Sequence, residues 1–444
     1  MTHVDVNEIG EIIRKVRKEK GLRLEDLADE NISPATISNL ERGVPHVKHD
    51  KLTYLMEKLN IKINQIPDLI MKEHQKLQHL QFNLFAIESL RDNGYPEEAL
   101  CKIDELDIDD SNPYIAHIHL LKGKCYNSLG KWKKAERAFF NAIRHMNNNH
   151  SDKQSNIEAA SFTGLSLCSF FQNNLDQALV YTESGLEAFV EDGERSQYKY
   201  VLFQNKAMFL EKQGRPIEAL KVVQDSWNFL PKIEQIEVIL GFYWLRAELL
   251  RHTGLYQDAI HYAKEGLEKA RFNHEYCRQF DLWTVLGSTY MALKEWDQAE
   301  SCFELALKLK DRFPNGEILT SAYARLGILY MYQKKWNEAK DAILKAIQKG
   351  EEFNDAPRLA YAFIVMGHYY QKRKEFNEAI TYYQRSLDLA RNHNYRQKER
   401  LALHLLAECL EEIDEQEFQS CVRNMYIAQK NIYHEEGIAL EKME

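Results

Sequence analysis

The chain has 444 residues, 44% hydrophobic and 28% charged, with a formal net charge of −9. Because a single hydrophobic core rarely serves so long a chain, this length predicts several domains or a solenoid that grows by adding units. The longest apolar run, residues 238–245, is too short to span a bilayer and no secretory signal precedes Asp5, so we expect a cytoplasmic protein with no membrane partner.

Residues 1–66 predict a separate domain of four short helices. Residues 7–20 carry apolar side chains at helical spacing, and residues 24–30 form a second short helix. Pro34 suits the first position of a third helix, and residues 50–59 supply the fourth. None of these helices follows the longer period found later in the chain.

The second and third of these helices resemble the helix-turn-helix of the Cro/C1 repressor class. The resemblance lies in GLRLEDLADENISPATISNLERG, residues 21–43, with Leu27 and Ala28 in its first helix and a Glu-Arg-Gly end. It implies that Ile37 and Leu40 pack inward while the second helix enters the major groove of operator DNA. The candidates for base contact are Pro34, Ala35, Thr36, Ser38 and Asn39, and those for phosphate contact are Arg23, Arg42 and Lys48.

Charge gives this domain only weak support as a DNA-binding module. Residues 1–70 carry 11 Lys and Arg against 12 Asp and Glu, although the cations cluster between Arg14 and Arg23. The acidic remainder of the chain argues against DNA binding outside this domain. Dimerisation would help by presenting two domains to a two-part site. The alternative is that Thr36 and Asn39 are only solvated helix residues.

A helical hairpin repeat follows. Pro67 marks a boundary, residues 67–80 predict a linker helix, and residues 81–392 repeat a unit of about 40 residues eight times. Three near copies begin at Leu286, Leu326 and Met366. Each unit has an alanine that anchors its second helix, and the series is Ala99, Ala135, Ala178, Ala219, Ala259, Ala299, Ala339 and Ala379. A small residue stands twelve positions before each anchor from the second unit onward, in the series Gly123, Ser166, Ala207, Ala247, Gly287, Gly327 and Gly367.

This pattern resembles the tetratricopeptide repeat, whose signature is Leu-Gly-x-x-Tyr followed by Ala-x-x-x-Phe in a unit of about 34 residues. The resemblance implies an all-α fold in which a right-handed superhelix follows the helix-turn-helix domain. Stacked units of this kind form a concave surface that suits ligand binding. Residues 393–444 keep helical spacing without the period, and we expect them to cap the last repeat.

Motifs for catalysis or for cofactors are missing from the sequence. Gly123 and Lys124 lack the other residues of a phosphate-binding loop. The histidine pairs His46 with His49 and His145 with His150 are interpreted as solvated polar residues, and the seven scattered cysteines as buried thiols in a reducing compartment. We expect no enzymatic activity, no cofactor and no metal.

A Cro-like domain followed by a long tetratricopeptide solenoid resembles the Gram-positive peptide-pheromone receptors, the Rap, Rgg, NprR, PlcR and PrgX family, with an NprR-like layout. The resemblance implies a quorum-sensing transcriptional regulator that acts as a homodimer or tetramer and binds a short oligopeptide in its groove. Two alternatives stay open. The repeats could bind a response regulator or other protein as Rap-like members do, or the chain could be a phage or plasmid repressor whose solenoid binds only proteins.

Repeat geometry proposes the groove residues. The first helix of each pair faces the concave side at positions six, three and two before the small residue and one, four and five after it. Asn205 is the foremost candidate because an asparagine can take both hydrogen bonds of a peptide amide unit, while an arginine could meet a carboxylate and Trp244 could anchor an apolar side chain. The full set is Gln204, Asn205, Glu211, Lys212, Trp244, Glu248, Arg251, Asp281, Thr284, Ser288 and Arg325.

Overall fold

The computed structural model describes residues 6–44, 49–106, 108–110, 112–148, 153–312, 316–411 and 413–435. Within these ranges the regular elements are all helices, apart from one isolated bridge between Asp29 and Ile32, so the all-α prediction is confirmed. The chain divides into two compact units, Met1–Leu106 and Asp107–Glu444. Among the described residues, no helix combines the length and apolar character that crossing a membrane requires.

The first unit contains the four short helices predicted at the start of the chain. Its second helix is shorter than expected, because Ala28 takes an extended backbone and the Asp29 carboxylate accepts hydrogen bonds from the Asn31 and Ile32 amides. Ile37 and Leu40 are buried in the core of this unit, as the helix-turn-helix resemblance implied. The helices are α1 (Val6–Glu19), α2 (Leu24–Leu27), α3 (Pro34–Glu41), α4 (His49–Lys58), α5 (Ile66–Asp92) and α6 (Pro96–Asp104).

A close approach of α1 to α3 requires a glycine. A Cβ atom added to Gly10 would lie 2.5 Å from the carbonyl oxygen of Leu40. The helix α5 then runs without a break through the predicted linker and into the predicted repeat region. Its partner α6 carries the first anchor, Ala99, which is fully buried.

The second unit is a series of antiparallel helix pairs, each odd-numbered helix packing on the next. Short turns join the two helices of a pair. The pairs are α7 (Ile115–Ser128) with α8 (Trp132–Asn148), α9 (Ile157–Phe171) with α10 (Leu175–Ala188), α11 (Gln197–Gln213) with α12 (Pro216–Trp227), α13 (Ile236–His252) with α14 (Tyr256–Phe272), α15 (Tyr276–Ala292) with α16 (Trp296–Lys308), α17 (Leu319–Tyr332) with α18 (Trp336–Glu352), α19 (Ala356–Lys372) with α20 (Phe376–Asn392), and α21 (Arg396–Leu410) with α22 (Glu415–Glu435).

The repeating residues are packing residues. All eight anchor alanines have no solvent exposure, and the seven small residues that precede them are buried. The small residue faces the side chain one turn beyond the anchor: a Cβ atom on Gly123 or Gly367 would lie 2.5 Å from the ring of Phe139 or Tyr383, respectively. Close approach of the two helices therefore explains why this position stays small.

In each of the eight predicted repeats, the turn between the two helices contains a residue with positive φ, five positions before the anchor. The earlier repeats have glycine there, as at Gly130 and Gly214 with φ of 65° and 82°, apart from Asn173 with φ of 61°, whereas the last three have Lys294, Lys334 and Lys374 with φ of 61–64°. This left-handed residue ends the first helix and lets the chain reverse. Sequence inspection missed it because lysine does not signal such a turn.

The repeats of the second unit curve far enough for distant parts to touch. The side-chain amide of Asn173, in the turn before α10, donates to the Asn354 carbonyl at 2.9 Å and accepts from the Ala356 amide at 3.1 Å. The Tyr395 hydroxyl donates to the Asn173 carbonyl at 3.1 Å. The Lys398 ammonium likewise donates to the carbonyl of Lys212 at 3.2 Å. These bonds join the early repeats to the pairs that begin with α19 and α21.

Candidate functional site

The predicted DNA-contacting face belongs to α3. The Ser33 hydroxyl caps this helix by accepting from the Thr36 amide at 3.2 Å, and Ile37 and Leu40 fix its other side in the core. Burial of that apolar side leaves the predicted base-contact residues facing outward. Pro34 and Ala35 are exposed, and Thr36, Ser38 and Asn39 are partly exposed.

Two of the predicted DNA-contacting residues, Asn39 and Arg42, are hydrogen-bonded to each other at the carboxyl end of α3. Arg42 donates from Nη2 to Oδ1 of Asn39, which leaves the Nδ2 amide of Asn39 to donate to another acceptor. Arg23 and Arg42 are both exposed, as phosphate contacts would need. Lys48 lies outside the described residues.

The glutamate of the Glu-Arg-Gly end has a structural role that sequence inspection missed. Glu41 is buried and forms two bonds with Arg17, from Nε at 2.5 Å and from Nη2 at 2.9 Å. Arg17 also donates to the Leu22 carbonyl at 2.8 Å. Since breaking a buried ion pair leaves an uncompensated charge, this pair ties α3 to α1 and to the turn before α2.

Two adjoining cavities, of about 220 and 40 Å³, lie in the second unit. Both are lined by Lys212, Ser321, Arg325 and Arg358. The lining residues of the larger cavity come from α11, α13, α15, α17, α19 and α21, the first helices of six successive pairs. Nine of the eleven predicted groove residues line one cavity or both, namely Glu211, Lys212, Trp244, Glu248, Arg251, Asp281, Thr284, Ser288 and Arg325.

Glu248 is the centre of an ion-pair network between the two cavities. Its carboxylate accepts from Nε of Arg251 at 3.0 Å and from Nη2 at 2.9 Å, and Arg325 of the next-but-one pair also contacts it. Arg325 in turn donates to the Ser288 hydroxyl at 3.0 Å. Burial by itself would raise the pKa of Glu248, but the two guanidinium groups outweigh burial and hold the pKa well below its usual range.

The other acidic groups differ in their partners. Burial raises the pKa of Asp281, and Arg278 at 3.2 Å offsets this only in part. The pKa of Glu211 is lowered because Lys212, at 2.7 Å, more than compensates for burial. Lys212 also lies over the ring of Trp244, 5.9 Å from its centroid.

One carboxylate pair and a histidine could suggest a metal site. Glu211, Glu248 and His252 each offer a ligand atom, and these atoms lie within 4.8 Å of one another. However, Glu248 already binds Arg251 and Arg325. Two guanidinium groups on the same carboxylate would repel a cation, so the cluster is better described as an ion-pair network.

Seven residues of the larger cavity are absent from the predicted set, and three of them, Arg358, Tyr361 and Lys398, can bind a polar ligand. Tyr361 stands at a predicted groove position, six residues before Gly367. Arg278, Arg358 and Lys398 share one repeat position, nine residues before Gly287, Gly367 and Ala407, and Ala407 continues the series of small residues beyond the predicted repeats. Extending the groove register by one helical turn and one further unit would have found Arg358 and Lys398. Burial lowers the pKa of Lys398 to about 8 and raises that of Tyr361.

Gln204 and Asn205 do not line either cavity. Gln204 packs against the backbone of Gly241, where an added Cβ atom would lie 2.1 Å from its Nε2. Asn205 is 6% exposed, and among the described residues its Nδ2 group has no hydrogen-bond partner. A buried donor of this kind is unfavourable until an acceptor reaches it.

Comparison with known proteins agrees with the two types of unit. A helix-turn-helix family model matches residues 13–66, and tetratricopeptide repeat models match residues 278–352 and 360–393. Among curated proteins, none matches the chain.

Solved structures share the fold at low identity. A Rap protein complexed with competence and sporulation factor is 16% identical, with a TM-score of 0.60 over 80% of this chain and 99% of that one. The apo form of the quorum sensor NprR from B. thuringiensis is 14% identical, with a TM-score of 0.53 over 84% of this chain and 99% of that one. NprR in complex with its cognate peptide NprX is 15% identical, with a TM-score of 0.52 over 72% and 90%. The predicted resemblance to the peptide-pheromone receptors is thus confirmed in domain types and fold.

Proposed function

We propose that this protein is a cytoplasmic transcriptional regulator that binds operator DNA through α3 and is controlled by a short signalling peptide held in the cavities of its repeats. The observation that carries the proposal is the convergence of nine polar and aromatic residues from successive repeats on two adjoining cavities. Convergent polar groups suit a peptide, whose amides and termini need partners. Support also comes from NprR, which has a related fold and forms a complex with its cognate peptide.

For the DNA-binding unit, support comes from the outward face of α3. The Nδ2 amide of Asn39 can donate to a base edge, and an asparagine reads adenine with two bonds when its oxygen also takes part. Arg42 would then exchange its bond to Asn39 for one to a phosphate. Since the unit lacks a strongly basic charge, two copies on a two-part site would supply the affinity.

Substitution of Asn39 tests the DNA-binding half. Asn39→Ala removes the amide and should weaken binding to a DNA duplex selected from random sequence by the parent protein, by about 10-fold or more, consistent with roughly 1–3 kcal/mol for a bidentate base contact. The control is Asn64→Ala, an exposed asparagine outside α3, which should bind like the parent. Equal binding by Asn39→Ala in an electrophoretic shift titration would show that α3 does not read bases through this residue.

Peptide titration tests the regulatory half. The full chain is held with each short peptide encoded immediately downstream of its gene, and thermal unfolding and duplex binding are followed together. A cognate peptide at 100 times its Kd should add about 2.7 kcal/mol to the free energy of unfolding and change the affinity for DNA. Unchanged melting and unchanged DNA affinity with every peptide would count against peptide control.

A second candidate is a repeat domain that binds a protein partner, as expected for Rap-like members of the family. The observation in its favour is a cavity of about 700 Å³ between α14, α15 and α16, lined in part by Trp283, Leu286 and Leu305. Leu305 is 40% exposed. A Leu305→Asp variant that loses regulation in cells, while its peptide affinity and DNA affinity in vitro stay unchanged, would favour this candidate.

A further inference from the structure

We infer that the larger cavity is a carboxylate-binding site, which takes one anionic group of the bound peptide between Arg251, Arg325, Arg358 and Lys398. The inference rests on the proposed peptide binding and specifies its chemistry. The group would be either the terminal carboxylate of the peptide or an Asp or Glu side chain, because both present the same two oxygens.

The charges around the cavity are unbalanced. Five lysine and arginine side chains and His252 line it, and Glu211 is the one carboxylate among the lining residues that the structure describes. Lys212 pairs with Glu211, so four cations remain. Glu248 and Asp355 neutralise part of this charge from outside the cavity through Arg251, Arg325 and Arg358. A ligand that enters therefore meets a surface that favours negative charge.

Lys398 shows the imbalance most clearly. Among the described residues its ammonium group has two partners, the Lys212 carbonyl at 3.2 Å and the Tyr395 ring, whose centroid lies 5.7 Å away. Neither partner carries a negative charge. Glu211 and Asp355 attract the ammonium group through space, but among the described residues neither forms an ion pair with it. A partly buried ammonium group without a direct ion pair is unfavourable, and a ligand carboxylate beside it would supply one.

The donors around the cavity also suit a carboxylate. Arg251 bonds to protein atoms through Nε and Nη2, and Arg325 through Nη1 and Nη2. In the part of the chain that the structure describes, Nη1 of Arg251 and Nε of Arg325 have no such bond. Tyr361 is part of the same lining and carries a further hydroxyl donor. Arginine N–H groups bind carboxylates in short charge-assisted hydrogen bonds, so these groups can hold both oxygens of one ligand carboxylate.

Cavity size limits how much of the peptide enters. Sites that enclose a drug-sized ligand measure about 300–1,000 Å³, and this cavity measures about 220 Å³. It therefore has room for one end or one side chain of an oligopeptide. The remaining residues of the peptide would lie along the adjoining first helices.

Affinity selection with defined peptide pools tests the inference. The full chain is incubated with three pools of random heptapeptides, and retained peptides are identified by mass spectrometry. The first pool has free carboxyl ends and no Asp or Glu, the second has amidated ends and no Asp or Glu, and the third has amidated ends and one Asp or Glu. We expect retention from the first pool or the third and not from the second. Retention from the first indicates a terminal carboxylate, and retention from the third a side chain.

The outcomes separate the inference from the proposed function. Equal retention from the second pool would leave peptide binding intact and overturn the carboxylate site. No retention from any pool would overturn peptide binding, and the carboxylate site with it.

A variant completes the test. Lys398→Gln should lower the affinity for a retained carboxylate peptide about 10-fold, whereas Lys345→Gln, on the exposed face of α18, should not change it. The melting temperature of both variants shows whether they fold. Unchanged affinity in a folded Lys398→Gln variant would contradict the assignment of this residue.

Discussion

At the scale of single residues, the charged groups that line the cavities differ in how well their loss of hydration is compensated. Glu248 is nearly inaccessible but has two guanidinium partners, whereas the direct partners of the half-buried Lys398 are a carbonyl and an aromatic ring. The first arrangement compensates for lost hydration, and the second does so only in part. Residues that a protein keeps at the expense of its stability are often binding residues, because ligand binding supplies what the fold lacks.

Lys398 gives a prediction on pH dependence. Burial lowers its pKa from 10.5 to about 8, so between these pH values the unfolded state binds a proton that the folded state has released, and the contribution of this residue to stability rises with pH. Below about pH 8 the full destabilisation is present. Lys398→Met should therefore be more stable than the parent at pH 7, by roughly 1–3 kcal/mol, and this advantage should shrink as pH rises towards 10.5. Urea unfolding at several pH values checks it, and a variant that is less stable at pH 7 would contradict it.

At the scale of elements, two helices pack closely where a small residue on one leaves room for a large side chain on the other. Phe139 on α8 illustrates this, because its ring lies against glycines of two first helices: a Cβ atom would come within 2.5 Å of it from Gly123 and within 2.2 Å from Gly164. Anchors and small residues could be predicted from the sequence because they recur at one period. The contact of Gly164 with Phe139 could not, since it joins two different pairs and has no place in the repeating pattern.

Gly164→Ala follows as a prediction at this scale. The added methyl group would overlap the ring of Phe139, and overpacking of this kind destabilises by about 1–3 kcal/mol. The control is Lys133→Ala, an exposed position on α8, which should stay within about 0.5 kcal/mol of the parent. Denaturant unfolding of both variants measures the difference, and a neutral Gly164→Ala would mean that the ring can move aside.

At the scale of the whole second unit, hydrogen bonds join repeats that are far apart in sequence. Asn173, Tyr395 and Lys398 join helices that lie 181–222 residues apart in sequence. Repeat proteins otherwise contact only their neighbours, so such contacts limit how far the array can open. They also place Lys398 opposite Lys212 and thereby complete the larger cavity.

Asn173→Gly tests how much the side-chain hydrogen bonds of Asn173 contribute to the contact between distant repeats. Glycine keeps the left-handed backbone that Asn173 adopts, with φ of 61°, and removes the two side-chain bonds to residues 354 and 356. We expect a loss of about 1–3 kcal/mol in unfolding free energy and a larger radius of gyration by small-angle X-ray scattering. Lys294→Gly is the matched control, since it changes the same turn position of another pair and should be neutral or stabilising. Unchanged dimensions for Asn173→Gly would show that other contacts hold the array closed.

The sequence by itself determined the helix-turn-helix and the repeat register, because these depend on local spacing and recur. Thus Ile37, Leu40 and the eight anchors are buried as predicted, and nine of eleven groove candidates meet. Only the tertiary structure decided which candidates form ion pairs, how Glu41 is used and that Lys398 closes the cavity. Those features depend on how the rotation between successive helix pairs adds up along the array. That sum cannot be read from the sequence of any one repeat.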